Sequence, residues 1–490
     1  MNDVNAEGIR SLSANLQKNN HITCIIFLKK LALSSSKLEG YDWVGINVWG
    51  RKFRYARGSE ITGKEKTILI NLIKEIKPDL IGITVVTPLK KRIAEVTELI
   101  KQNFTVPVIW GGPEPTINPE DCLKYCDIVH IGEADRSILD IATAIDEGRD
   151  LKSAGNLAFL ENGTIVRNPL HPLVADLDKL PYKDIHPENK FLIENNVLIR
   201  NYNEVSYKGI STYFMISSRG CPYNCSYCCE NFYKRLYLPL NFLRRRSPLN
   251  VIQELKEAKK VIDYNNVRFE DEVFSLENEW LQEFKDLYKK EINCPFTCYI
   301  HPHKSIEKQL EILKEAGLVS TCLAIQSGSE RINREIFNRN FNREMFLKTA
   351  GLLKAMGISF YTDIITFNPA EKEEDLQATL DIVNRLPRPF GMCINKLYVN
   401  RGTKVYDVID NLIDGKGKGL VPERIFMYYA RLFWLTTMYE RTFVDFIIKI
   451  KMFRRFLFLF DMFVCFSYVR RAIKKPQLAV NKLMQLLKKQ

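Results

Sequence analysis

The chain lacks a positively charged start followed by an apolar stretch and a small-residue cleavage site, so no secretory signal is read and a disulfide framework is excluded. Its most apolar segment, FVDFIIKIKMFRRFLFLFDMFVCFSYVRRAIKK, has no uncharged run longer than residues 462–469, well short of the ~20 apolar residues that span a bilayer. Missing too is the broad positive surface of a nucleic-acid binder. Of a net charge of +13, residues 441–490 hold +10, with twelve Lys or Arg against two acids, and only +3 is left for the rest. Nucleic acid is therefore not an expected partner. With 46% apolar and 26% charged residues over 490 positions, the chain can bury two or three cores, and only about the first 20 residues are expected to be flexible.

What the sequence does have is cysteine. Four of its twelve fall between Cys221 and Cys229, in SSRGCPYNCSYCCENFY. The cysteines are expected to be reduced, in the cytoplasm, and crowded thiols in a reducing compartment mark a metal or redox site rather than a disulfide knot.

Two alternating series organise the chain. In the first, ITCIIFL (22–28), WVGINVW (43–49), LIGITVV (80–86), VPVIWGG (106–112) and CDIVHIG (126–132) read as buried strands. Between them Leu69, Leu72, Ile73 and Ile76 share a helix face. Strand and helix in alternation predict an α/β, Rossmann-like parallel sheet, with ligands at the carboxyl ends of its strands. NLAFLENGTIVRN adds a hairpin, which closes a first domain over 22–168. The Pro-rich residues after it predict a linker over 169–205. The second series, 206–412, has six strands: TYFMISS, NNVRFE, PFTCYI, STCLAIQ, SFYTDIITF and MCINKLYV. Six units are too few for a closed eight-stranded barrel, so an open partial (β/α)6 barrel is expected, its site at the strand C-termini. Residues 413–490 then form a basic, aromatic-rich helical region, either a cap on the barrel or a helix lying on an anionic membrane surface.

Cys221, Cys225 and Cys228 stand in C-x3-C-x2-C spacing just after the first strand of the second series. Three soft thiolates on one loop can bind three corners of an iron-sulfur cube and leave the fourth iron open to a small molecule. Zinc would call for paired C-x2-C units and a fourth ligand. Cys229, adjacent to Cys228, reads as a neighbour. The pairs Cys122 with Cys126 and Cys294 with Cys298 fit buried residues on one helix face.

With Tyr227 as the aromatic before the third cysteine, this loop resembles the radical S-adenosylmethionine (SAM) superfamily. RFEDEVFSLENEW, CYIHP, AIQSGSERINREIFNR and DIITFNPAEKEEDL are similar to its branch with a B12-binding domain before the barrel, over about residues 22–410. The resemblance implies a 4Fe-4S cluster on Cys221, Cys225 and Cys228. SAM would chelate its open iron, and one electron would break the sulfonium C–S bond to release a 5'-deoxyadenosyl radical. It further implies adenine against Tyr227, the ammonium at Asp271, ribose and carboxylate contacts from Gln326 and Ser327, and carboxylate pairing by Arg331. His301 is a candidate proton donor.

In the first domain the resemblance implies cobalamin, with Gly111 and Gly112 admitting the flat ligand and Thr84 and Thr87 bonding its tail. The departure is LKKLALSSSKLEG, which stands where a D-x-H-x-x-G would offer a lower cobalt ligand. The expected function is radical functionalisation of an unactivated carbon as a cobalamin-dependent C-methyltransferase. The alternatives are a cobalamin-independent radical enzyme with the first domain as scaffold, including one that inserts sulfur, and a zinc- or nucleic-acid-binding protein. A small-molecule or lipid substrate, a flavodoxin- or ferredoxin-type electron donor and a peripheral contact at the inner membrane surface complete the expectations.

Overall fold

The computed structural model describes residues 6–28, 61–202, 212–238, 242–274, 277–397, 402–412 and 421–450, together with the backbone of a few further strands and isolated positions up to 462. Ile81–Thr84, Val108–Gly111 and Ile128–His130 pair in parallel, and the hairpin Leu157–Glu161 with Thr164–Arg167 extends the sheet antiparallel. The helix Gly63–Ile76 starts where Thr62 and Glu65 close a reciprocal cap: the Glu65 N–H donates to Thr62 Oγ1 at 3.1 Å, and the Thr62 N–H donates to Glu65 Oε2 at 2.9 Å. It buries Leu69, Leu72 and Ile73 against a core that includes Val85, Val108, Trp110 and Val129.

The second series forms the expected open half-barrel. Thr212–Met215, Asn266–Phe269, Phe296–Ile300, Leu318–Leu323, Ser359–Thr366 and Gly391–Lys396 lie side by side in chain order, all parallel. Burial alternates along the strands: Val267, Phe269, Phe296, Cys298 and Ile300 are buried, while Arg268, Thr297 and Tyr299 are half-buried. Phe274, Trp280 and Phe284 fill the space behind them. Of the two cysteines expected on one helix face, Cys294 precedes the third strand and Cys298 lies on it.

Four expectations need correction. Residues 1–21, expected to be flexible, contain the helix Glu7–Lys18, which buries Arg10, Ser13, Ala14 and Asn15. The strand Ile25–Leu28 is paired not with the first domain's sheet but with Lys190–Glu194, itself paired with Val197–Arg200, so the expected linker carries two strands. The strand expected over 43–49 is described only at Gly45–Ile46, where it pairs antiparallel with the sixth barrel strand and with Lys52–Arg57. Pattern alone could not assign these segments, because a short apolar run carries no information about which sheet edge accepts it.

Asp184 explains why the N-terminal helix is held. Its carboxylate accepts from Ser13 Oγ at 2.7 Å and Gln17 Nε2 at 3.0 Å and pairs with Lys190 Nζ at 2.7 Å, while Arg10 Nη1 donates to its backbone carbonyl at 2.9 Å. At the far end of the chain, Glu423–Met438 packs on the helix Glu373–Val383 and on the sixth strand, and Arg441–Lys449 packs on Glu423–Met438, with Phe426, Tyr429, Phe433, Val444 and Ile447 buried. These residues cap the barrel, and most of the tail beyond 450 lies outside the described residues. No helix among the described residues is long and apolar enough to cross a membrane.

Two tests follow from this packing. Lys190→Met leaves the Asp184 carboxylate buried without its cation, a loss of about 3–5 kcal/mol. A lower melting temperature with earlier proteolytic release of the N-terminal helix is expected, and an unchanged melt contradicts it. After the fifth strand, Glu371 is buried, accepts from Thr366 Oγ1 at 2.9 Å, and is pushed up to about 8 by burial. The folded chain thus holds this proton more tightly than the unfolded chain, so stability falls as pH rises from about 4.5 towards 8 and is flat above that. Glu371→Gln should remove this slope, as seen in paired melts of the two proteins across that range.

Candidate metal and cofactor site

The cysteine loop joins the short strand Ser218–Arg219 to the helix Cys229–Leu236. It begins at Gly220 with φ +92°, where a Cβ would collide with the carbonyl oxygen of Phe242, so only glycine starts this turn without strain. Its middle is moored to the far side of the barrel. The buried Ser226 donates its N–H to the Phe337 carbonyl at 2.8 Å and its hydroxyl to the Ile336 carbonyl at 2.5 Å, and its own carbonyl accepts from Val405 N at 3.2 Å. Asn338 Nδ2 donates to the Asn224 carbonyl at 2.9 Å.

Cys221, Cys225 and Cys228 are half-buried free thiols on this loop. Cys221 is pushed up to about 12, first by burial, with Glu272, Cys228 and Cys225 contributing to the rise. Cys225 is raised by burial and by Cys228, against the lowering effect of Arg339. Cys228 is raised first by its hydrogen bond with Cys229, then by burial. The three thiols therefore lie within electrostatic reach of one another, although among the described residues no three Cys, His, Asp or Glu side chains already converge on one point. Sulfur donors in this number and spacing fit an iron-sulfur cluster.

The remaining candidates divide. Tyr227 packs edge-on against Phe337 at 4.8 Å between centroids, and its hydroxyl accepts from Arg339 Nη1 at 3.2 Å. Gln326, at φ +60°, has its backbone tied to the fifth strand through Asp363 and Ile365, and its Oε1 is buried without a partner. Four candidates are engaged inside the protein. Asp271 accepts from the Ser217 N–H at 3.1 Å and from the hydroxyls of Ser217 and Ser218 at 2.8 and 2.5 Å. Ser327 Oγ accepts from Ser329 N at 3.2 Å. Arg331 pairs with Asp375 and donates to the Ala370 carbonyl at 2.8 Å. Thr87 donates to the buried Glu114 at 2.6 Å.

Sequence reasoning missed Glu272, Glu230 and Arg339. Glu272 opens onto the large cavity described below, and its carboxyl is raised by burial and by Asp271 and Glu270. Glu230 has Oε2 buried without a partner. Arg339 donates to Tyr227 and to the Ala324 carbonyl, and its Nε is also buried without a partner. His301 stacks on Tyr223 at 4.0 Å with Nδ1 against the Pro302 carbonyl at 3.0 Å, and burial lowers it to about 3, which favours the neutral ring.

A cavity of about 1030 Å³ lies between the two domains. One wall is the carboxyl edge of the first sheet, with Thr84, Gly111, Gly112 and His130; another is the N-terminal helix; the barrel side offers Ser218, Gly220, Glu230 and Glu272. Gly112, at φ +98°, leaves no room for a Cβ, which would stand 2.8 Å from Thr84 Oγ1. A flat ligand of several hundred Å³ fits such a crevice at a sheet's carboxyl edge.

Residues 215–383 match the Radical SAM superfamily, and residues 60–142 match the B12 binding domain. An uncharacterized methyltransferase of Pyrococcus horikoshii is 26% identical over 327 residues, 65% of this chain and 66% of that protein. The anaerobic magnesium-protoporphyrin IX monomethyl ester cyclase of Rubrivivax gelatinosus is 25% identical over 400 residues, covering 74% of this chain and 67% of that protein. Among solved structures, the radical S-adenosylmethionine methyltransferase TsrM from Kitasatospora setae, with cobalamin and a 4Fe-4S cluster bound, superposes with a TM-score of 0.58 at 17% identity, covering 81% of this chain and 76% of its own. The cobalamin-dependent S-adenosylmethionine radical enzyme OxsB, with aqua-cobalamin and S-adenosylmethionine bound, gives 0.54 at 16%, covering 83% and 58%. The structural likeness establishes the shared fold. The chain spans about two thirds of the length of the curated relatives it matches.

Proposed function

Starting from a chain that joins a B12-binding domain to a radical SAM barrel, we propose that it is a cobalamin-dependent radical enzyme that methylates an unactivated carbon of a small-molecule substrate. The observation that carries this is the shared cavity, which brings the edge with Thr84, Gly111 and Gly112 to the flank of the cysteine loop. When bound, the cluster supplies the electron that breaks the sulfonium C–S bond of SAM, and cobalamin supplies the methyl group.

The protein's own part is binding and orientation. Cys221, Cys225 and Cys228 hold the cluster on a loop that Ser226 keeps in place. Glu272, open to the cavity, faces the ammonium of SAM in place of the internally bonded Asp271. Arg339 meets the carboxylate in place of Arg331, since it reaches Tyr227 while keeping Nε free of protein partners. Gln326 Oε1 accepts from a ribose hydroxyl, and Tyr227 lies against the adenine. Gly111, Gly112 and Thr84 admit cobalamin, while Thr87 supports Glu114 behind them. The electron donor is of the flavodoxin or ferredoxin type, and any contact with a membrane surface falls to the tail.

After anaerobic reconstitution, turnover with SAM labelled in its methyl group should put label into product only when cobalamin is supplied. Formation of 5'-deoxyadenosine with no methylated product would favour a cobalamin-independent radical reaction, with the first domain as scaffold. Replacing Cys221, Cys225 or Cys228 by Ala should abolish both iron binding and 5'-deoxyadenosine; a variant that forms it at the wild-type rate refutes the cluster assignment.

Glu272→Gln should raise the KM for SAM about 10- to 100-fold, the scale of one charge-assisted hydrogen bond, with the iron content unchanged. An unchanged KM returns the ammonium to another group.

A further inference from the structure

The segment Gly132–Asp135, which follows the strand Ile128–His130, lines the cavity and also grips both ends of the cysteine loop. Ahead of the loop, Arg219 stands two residues before Cys221. Its Nη1 and Nη2 reach the two oxygens of Asp135 at 2.6 and 3.1 Å, and Nη1 also donates to Glu133 Oε2 at 3.0 Å. Arg244, the ladder partner of Arg219, holds the same Glu133 carboxylate, with Nη1 at 3.1 Å from Oε2. Behind the loop, Tyr237 closes the helix that begins at Cys229, and its hydroxyl accepts from the Glu133 N–H at 2.8 Å. On the other side Asn15 Nδ2, from the N-terminal helix, donates to the Asp135 carbonyl at 2.6 Å.

Two carboxylates and two guanidiniums neutralise one another here, with Asp135 and Arg244 buried at 7% and 4% side-chain exposure and Glu133 and Arg219 partly open at 17% and 27%. A bidentate guanidinium–carboxylate pair fixes direction as well as distance, which a single point charge does not. The loop that frames the cavity therefore cannot shift without moving the backbone on which Cys221 sits.

Resting on the function proposed above, we propose that Glu133 and Asp135 are positioning residues that couple the two cofactor sites, so that filling the cavity with cobalamin changes the geometry of the cluster and the cluster changes the affinity for cobalamin. Such coupling is reciprocal, and a factor of about 5 to 150 is its usual range.

The test uses the full chain, with cobalamin binding titrated by its visible absorbance before and after cluster reconstitution, and with the electron paramagnetic resonance of the reduced cluster recorded with and without cobalamin. In the wild type, the cluster should change cobalamin affinity at least about fivefold, and cobalamin should alter the cluster signal. In Glu133→Gln/Asp135→Asn both groups should still bind, by iron content and absorbance, but the affinity ratio should fall to about one and the signal should no longer respond. Should that pair of changes prevent folding, Tyr237→Phe, which removes the acceptor for Glu133 N–H and the hydroxyl's hydrogen bond with Asn156 but leaves both carboxylates in place, should lower the ratio in part. A ratio of one in the wild type, or one unchanged in variants that load both groups, overturns the coupling and leaves the proposed function standing. A wild-type chain that binds no cobalamin overturns both.

Discussion

A buried carboxylate must find donors, and Asp271 finds them in Ser217 and Ser218. That bond set ties the end of the second barrel strand to the end of the first, directly below the cysteine loop. Everything above depends on it: the loop leaves Ser218 with its direction fixed, turns at Gly220, and is caught again at Ser226 by the carbonyls of Ile336 and Phe337. A loop that must offer three thiolates to one cluster cannot rely on the metal alone for its shape, and here protein hydrogen bonds hold it at its start and its middle.

Most of the fold was legible because burial period and chain order agree. The first, second, third and fifth barrel strands alternate in burial, and the helix with Leu69, Leu72 and Ile73 buries the face its spacing promised. The cysteine spacing stood out for a chemical reason, since few other uses need three thiols so close. What was hidden lay in partners far along the chain. Asp271 could have been placed from the pleat: Val267 and Phe269 are buried, so parity puts Asp271 with them and leaves Glu270 and Glu272 on the other side. Arg331 and Thr87 carried no such signal, because Asp375 and Glu114 reach them only through the fold.

The charge distribution takes on a different meaning with the structure in hand. The C-terminal helices up to Lys449 spend their aromatic residues on the barrel's outer layer, with Phe426 stacked on Phe367 at 4.7 Å. Acids and bases near the cavity are mostly paired with each other, as Lys183 is with Glu7 and Arg246 with Glu254, whereas Glu230 and Glu272 give the cavity's barrel side two carboxyl groups without a cation partner among the described residues, and burial pushes Glu230 up to about 8.

One feature of the topology bears on how the protein can be divided. The strands Leu31–Ser34, Gly45–Ile46 and Lys52–Arg57 precede the first domain's five-stranded sheet in the chain, yet they continue the barrel sheet beyond its sixth strand. The barrel sheet is therefore sewn from two separate lengths of chain, with the first domain's sheet inserted between them. Cutting the chain near residue 200 would not release two intact modules: it would strip the covering strands from Gly391–Lys396 and leave a bare edge with unpaired backbone groups, open to pairing with another molecule. Genes encoding exchanged first domains would have to carry these strands across unchanged, a topological constraint on recombination rather than on chemistry.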